Sequence, residues 1–274
     1  MSATQRLVTG LTVLLVIVAY AVLVPAFAGV DERVTDFSAA HTAPSIHTWF
    51  GTDSAGRDLF VRVAAGLRVS LVVALVSALA ATLLGSLLGI VSAVAGGRTD
   101  RVLMRCVDTV NSVPHLLLGV VIVALYRGNV WAIIISIAVT HWTQVTRIVR
   151  SEALSLRGRE FVDAAITGGA SRWRVTRRHL LPAVVPQAVL SGVLMVPHAI
   201  WHESTLSFLG LGLPAHQASL GTLLEDARAS VLLGSWWTLV FPALALVACT
   251  FSVALVGGVV RDKSIPQRRS GAGL

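Results

Sequence analysis

Three residues able to ligate a metal or move a proton stand together in an apolar stretch: His198, His202 and Glu203. Positions four apart share one face of a helix. Two imidazoles so placed can reach one ion, and neutral histidine is a good ligand for nickel or cobalt. Glu203 is turned by about 100° from His202, so it can face a neighbouring helix. Ionisable groups at membrane depth are costly and are kept for function or for pairing. Three chemistries fit: hydrogen bonds between helices, a site for a metal ion or metal chelate, or contact with a peptide's carboxylate or amine. A metalloprotease is disfavoured, because that chemistry needs the glutamate between the histidines and here it follows them. His216 follows in the outer loop beside Gln217, and His141-Trp142 at the outset of the inner loop points to the metal reading. His115, next to Pro114, reads as a packed residue at a proline kink. Cys106 and Cys249 are isolated and provide neither a disulfide framework nor a zinc site. No G-x-x-x-x-G-K-[ST] occurs, and Lys263, the only lysine, lies outside any such pattern, so ATP is not bound in the P-loop manner.

A second pattern suits docking rather than catalysis. Asp163-Ala164-Ala165-Ile166-Thr167-Gly168-Gly169 precedes His179-Leu180-Leu181-Pro182 within the most basic loop. Asp163 can cap a short helix or stabilise its start by charge. Ala164 and Ala165 are small enough for a partner surface to come close. Gly169 lets the chain reverse, and the extra Gly168 loosens the helix end by up to about 1 kcal/mol relative to alanine. Leu181-Pro182 is expected to end the amphipathic stretch and redirect the chain. A third pattern, Gly51-Thr52-Asp53-Ser54-Ala55-Gly56-Arg57-Asp58, is a turn: the glycines permit tight geometry, Thr52 or Asp53 can cap a helix beginning after it, and Arg57 can pair with Asp53 and Asp58. It is expected to lead into an interfacial helix over residues 59–68.

The elements that must hold these residues are membrane helices. The chain is 55% hydrophobic and 13% charged, with a mean hydropathy of +0.77. Cutting it at its charges isolates uncharged runs at 7–30, 69–97, 109–126, 128–146, 179–202 and 229–260. Each can cross roughly 30 Å of hydrocarbon as a helix, and backbone groups in lipid must be satisfied within the segment. The expectation is an all-α integral membrane protein of six spans. With the N-terminus inside, Arg6, Arg98, Arg101, Arg105, the arginines from Arg147 to Arg178, and Arg261, Lys263, Arg268 and Arg269 fall on one side. The cytoplasmic side carries the excess of basic residues, which places both termini there. This distribution accounts for the net charge of +8 without nucleic-acid binding. The apolar core before Ala26-Phe27-Ala28 is longer than the roughly 7–15 residues of a cleavable signal and reads as a retained anchor. The organisation expected is an N-terminal span (1–30), an extracytoplasmic segment (31–68), a core of five helices (69–262) containing the basic loop (147–182), and a disordered tail (263–274). No internal repeat is visible.

The spacing from Asp163 to Pro182 resembles the "EAA" loop of the membrane subunits of ATP-binding-cassette (ABC) importers, with Asp163 where that family has glutamate. In that family the loop forms a cytoplasmic coupling helix that docks on the ATPase. GTD-x-x-GRD at 51–58, Arg147-Ile148-Val149-Arg150 with Arg159-Glu160-Phe161-Val162, Leu206-Ser207-Phe208-Leu209-Gly210-Leu211-Gly212, and Trp236-Trp237 with Phe241-Pro242 are similar to one branch: the C-type permeases of dipeptide, oligopeptide and nickel importers. The resemblance implies the type I importer permease fold and a multi-pass protein of a prokaryotic cytoplasmic membrane. It also implies a second homologous permease, two ATPase subunits that bind ATP and magnesium, and an extracytoplasmic substrate-binding protein. No catalytic site or cofactor is implied in this chain. His198-x-x-x-His202 ahead of the Ser-Phe-Leu-Gly-Leu-Gly stretch looks more like the nickel members, so nickel or a metal chelate is the expected cargo, with dipeptides or oligopeptides as the alternative.

Overall fold

A computed structural model describes residues 2–28, 34–214 and 217–264. His216 and the tail beyond Ser264 lie outside these residues. Ten α-helices occur in order: α1 Ala3–Phe27, α2 Leu59–Ala95, α3 Gly97–Ser112, α4 His115–Leu125, α5 Val130–Arg157, α6 Glu160–Thr167, α7 Arg172–Val175, α8 Leu181–Phe208, α9 Leu220–Leu232 and α10 Trp237–Ser264. Five continuous helical segments are long and apolar enough to cross a membrane, and α3 with α4 makes a sixth only as a pair bent by 83°. α2, α5 and α8 form the centre, α1 and α10 pair along one flank, and α9 packs on α8 and α10.

Membrane solvent explains which side chains face in. Along α2 the large residues Leu75, Leu79, Leu83 and Leu87 are exposed, while Ala74, Ala78 and Ala81 are buried. Lipid offers leucine an apolar environment, so close packing of small residues drives association instead. Gly85 and Gly89 bring α2 onto α5: a Cβ on Gly85 would lie 2.6 Å from the Trp142 carbonyl oxygen, and one on Gly89 would lie 2.8 Å from that of Thr146. The Thr146 hydroxyl donates to the Gly85 carbonyl at 3.1 Å and to that of Trp142 at 2.9 Å. Gly89→Leu is therefore expected to cost at least the ~1–3 kcal/mol of an overpacked core, because backbone and not a side-chain tip stands in the way. Leu87→Ala, on the lipid face, should cost little. Thermal unfolding of the detergent-solubilised protein compares the two.

The expected third span, 109–126, is not one helix. Val113 takes an extended conformation before Pro114, since a residue preceding proline is pushed out of the helical region. The chain turns there. α4 alone covers about 16 Å, and α3 is amphipathic, carrying Arg98, Asp100, Arg101, Arg105 and Asp108. The expected interfacial helix at 59–68 is likewise absent as a separate unit. Those residues begin α2, which runs unbroken for 37 residues, through the boundary expected at 68/69. Leu181-Pro182 does not end its helix either. The Leu181 N–H reaches the Thr176 carbonyl across a π-turn at Thr176–Leu180, which absorbs the proline, and Trp173–Phe208 runs on as one span.

Candidate functional site

α6 is displayed rather than buried. Val162, 2% exposed, anchors it to the core. Asp163, Ala164, Ile166 and Thr167 are exposed. Asp163 does not cap the helix: the N-cap is Arg159, with no side-chain bond, and Glu160 and Asp163 are the acids of the first turn. They favour the helix start by charge. Gly169 takes φ +84°. Its N–H reaches the Ile166 carbonyl at 2.9 Å, and Ala170 N–H reaches that of Ala165 at 3.0 Å, the double bond of a glycine-terminated helix. Phe161, Ile166 and Trp173 are 43%, 51% and 71% exposed around it.

The end of α5 that leads to α6 is tied down. Arg150 grips Asp100 of α3 through two bonds of 2.6 and 2.7 Å, and the Arg157 guanidinium donates to the Ala93 carbonyl at the end of α2. These contacts tie the ends of α2, α3 and α5 together beside α6.

The predicted histidine pair is not assembled as a metal site. The His202 ring packs edge-on against His141 of α5, with centroids 4.6 Å apart, and His141 lies 5.6 Å from His115 of α4. His141 is 5% exposed, in the middle of α5 and not at the outset of a loop. Its Nδ1 lies 3.0 Å from the Ile137 carbonyl oxygen. His198 instead lines a cavity with Gln144 and Gln187. Among the described residues no group of three or more His, Cys, Asp or Glu side chains is placed to hold a metal ion. Glu203 is fully buried. Its carboxylate accepts from Ser70 of α2 at 2.7 Å and from Ser207 at 2.9 Å, and the Ser70 hydroxyl accepts the Leu220 N–H of α9 at 3.2 Å. A polar group too costly to leave bare thus joins three helices.

At the opposite end from α6, the turn at 51–58 forms a charged cap. Arg57 pairs with Asp53 at 2.8 Å and Asp226 at 3.7 Å, not with Asp58. Asp58 is the N-cap of α2, accepting the Phe60 N–H, so neither Thr52 nor Asp53 caps. Arg62, 1% exposed, pairs with Asp53 and with Asp226 at 3.3 Å. Burial pushes the Asp53 carboxyl up, but Arg62, Arg57 and two backbone N–H groups outweigh it and hold the group below its ordinary value. For Asp226 burial prevails and the shift is upward. Gly51 and Gly56 have φ of +73° and +72°, and a Cβ on Gly56 would overlap the Asp36 carbonyl. Trp237 donates to the Thr52 carbonyl at 3.0 Å, and Phe241 stacks on Phe50 at 4.0 Å. The aromatic pair at the start of α10 thus closes the cap. Gly85–Gly89 and the Asp226 partner escaped sequence reading; a G-x-x-x-G in an apolar run was the available signal for the first.

The family described as "Binding-protein-dependent transport system inner membrane component" matches residues 85–265. The chain belongs to that family. Its range takes in α6, the π-turn and α8. The oligopeptide transport system permease protein OppC of Escherichia coli (strain K12) is 39% identical over 96% of this chain and 87% of its own length. OppC of Bacillus subtilis (strain 168) is 36% identical over 95% and 85%, and the dipeptide permease DppC of that organism 35% over 95% and 81%. In fold, the chain is similar to one from the MetNI methionine ABC transporter in inward-facing conformations, with a TM-score of 0.61 at 18% identity over 76% of this chain and 98% of that one. The protein is a multi-pass inner-membrane permease of the ABC importer type, of the peptide and nickel branch.

Proposed function

We propose that this permease subunit carries dipeptides or oligopeptides. The observation that supports this is the identity of 35–39% to permeases named for those cargoes over nearly the whole chain. It replaces nickel or a metal chelate as the first reading, since among the described residues no group of three or more ligating side chains is placed to hold a metal ion and these relatives are named for peptides. The termini and α6 face the cytoplasm, where the arginines concentrate, and the cap faces outward. Asp163, Ala164, Ala165 and Gly169, with Leu181 and Pro182 behind them, present α6 to one of two ATPase subunits, which bind ATP and magnesium. A second permease completes the passage, and a binding protein delivers cargo to the cap side. ATPase closure draws the coupling helices together, and the clips from Arg150 and Arg157 carry that motion into the bundle, so access alternates by rigid-body rotation.

The test is uptake by the complete importer in proteoliposomes. Labelled dipeptides and oligopeptides should accumulate with ATP, while Ni²⁺ should not accumulate above the level without ATP. Nickel accumulation with no peptide uptake would reverse the assignment of cargo.

A further inference from the structure

Polar side chains of α5 and α8 gather in one cavity on the face of the bundle, interspersed with apolar ones. A cavity of 270 Å³ is lined by Gln144 of α5, by Gln187, Ser191 and His198 of α8, and by Arg261 of α10, set among five apolar side chains of α5 and α8. Gln144 and His198 are exposed and Gln187 is half-buried. The Ser191 hydroxyl is satisfied within its own helix, donating to the Gln187 backbone carbonyl at 2.8 Å.

Bare amides and an imidazole are costly against hydrocarbon. Other exposed surfaces of the spans are of another kind: Leu75, Leu79 and Leu83 of α2 and Val247 and Phe251 of α10 are exposed there. The amides and the imidazole suit a surface that meets water, a polar ligand or the second permease rather than hydrocarbon. Gln187 to His198 covers about 16 Å of helix, starting from the α6 end. One turn beyond His198 stands His202, in contact with His141 and through it with His115. The polar track thus continues past the cavity into the middle of the bundle. Its chemistry is specific. Each glutamine amide both donates and accepts, matching a peptide group. Arg261, whose Nε lies 3.9 Å from Asp262, and the imidazole of His198 suit a carboxylate. No acidic side chain lines the cavity, and its volume approaches the ~300 Å³ lower bound of ligand sites.

We propose that Gln144, Gln187 and His198 are this chain's share of the passage wall, taking the amide groups and terminal carboxylate of a short peptide in transit. The assignment rests on the peptide reading of the cargo.

The experiment uses the complete importer in proteoliposomes, with Cys106 and Cys249 replaced by serine. Gln144→Cys, Gln187→Cys and His198→Cys should each react with a water-soluble maleimide supplied from the α6 side without ATP, and Leu83→Cys should not. A transported dipeptide should slow labelling at the three sites. Independently, Gln187→Leu combined with His198→Leu should lower peptide uptake about tenfold or more, the rate equivalent of one or two lost hydrogen bonds, in complexes that still assemble by size exclusion. His198→Gln should retain most uptake. Three unreactive cysteines, or normal uptake by the double leucine variant in an importer whose wild type moves peptides, would overturn the wall assignment and leave the peptide reading standing. Labelling that no peptide slows would overturn the ligand class. Absence of peptide uptake by the wild type would remove both the peptide reading and the peptide contacts.

Discussion

Asp163→Lys combined with Ala164→Arg is expected to bring ATP-driven uptake down to the level seen without ATP. Both side chains are exposed on α6, so the bundle loses no contact, and surface changes of this kind stay within about 0.5 kcal/mol. The solubilised subunit should keep its unfolding temperature while the ATPases fall away from it. Loss comes from the partner's side: two bulky cations take the place of a short acid and a methyl group on a surface that must be approached closely. Gly169→Val acts differently. Space around Gly169 is open, but its φ of +84° costs a residue with a Cβ about 1–2 kcal/mol, so the helix end frays and transport falls in part. Full transport by the double variant would show that docking uses another surface.

Arg62→Leu should be the most damaging single change to the cap. Arg62 is 1% exposed, and its partners Asp53 and Asp226 come from segments 9 and 164 residues away in sequence. Removing it leaves Arg57 to serve two carboxylates, one of them almost wholly buried. Breaking a buried pair on one side costs about 3–5 kcal/mol. Asp53 also sets the response to acid. Its folded-state value lies below the unfolded one, so its contribution is present above the ordinary aspartate range and is lost as pH falls through the lower, folded value. Asp226 is shifted upward and has the opposite sign, favouring the fold at low pH and losing that contribution as pH rises through its raised value. Thermal unfolding across the acid range should show the wild type weakening below the ordinary carboxylate range, and Asp53→Asn should be less stable at neutral pH with a flatter acid limb. An unchanged acid limb in Asp53→Asn would rule out this carboxylate as its source.

Much of this protein was legible in one dimension because its solvent is lipid. Helices that must satisfy their own backbone groups leave long uncharged runs, and five of the six spans stand where those runs fall. The Asp163–Gly169 spacing marked a short displayed helix because Gly169 has to take a left-handed conformation to end it. Other features depended on partners that no local window contains. Cutting the sequence at charges began α2 after Arg68, whereas the helix starts at Leu59 and carries Arg62 inside it, paired with Asp53 and with the distant Asp226. Glu203 read as a pathway group, yet hydroxyls from α2 and α8 enclose it. His198 and His202 read as one ligand pair, yet packing against α5 gives His202 the ring of His141 and leaves His198 to a cavity. Periodicity tells which residues can share a helix face. Whether that face meets lipid, another helix or a passage is decided only when the helices pack, because the cost of a polar group in a membrane depends on what lies opposite it.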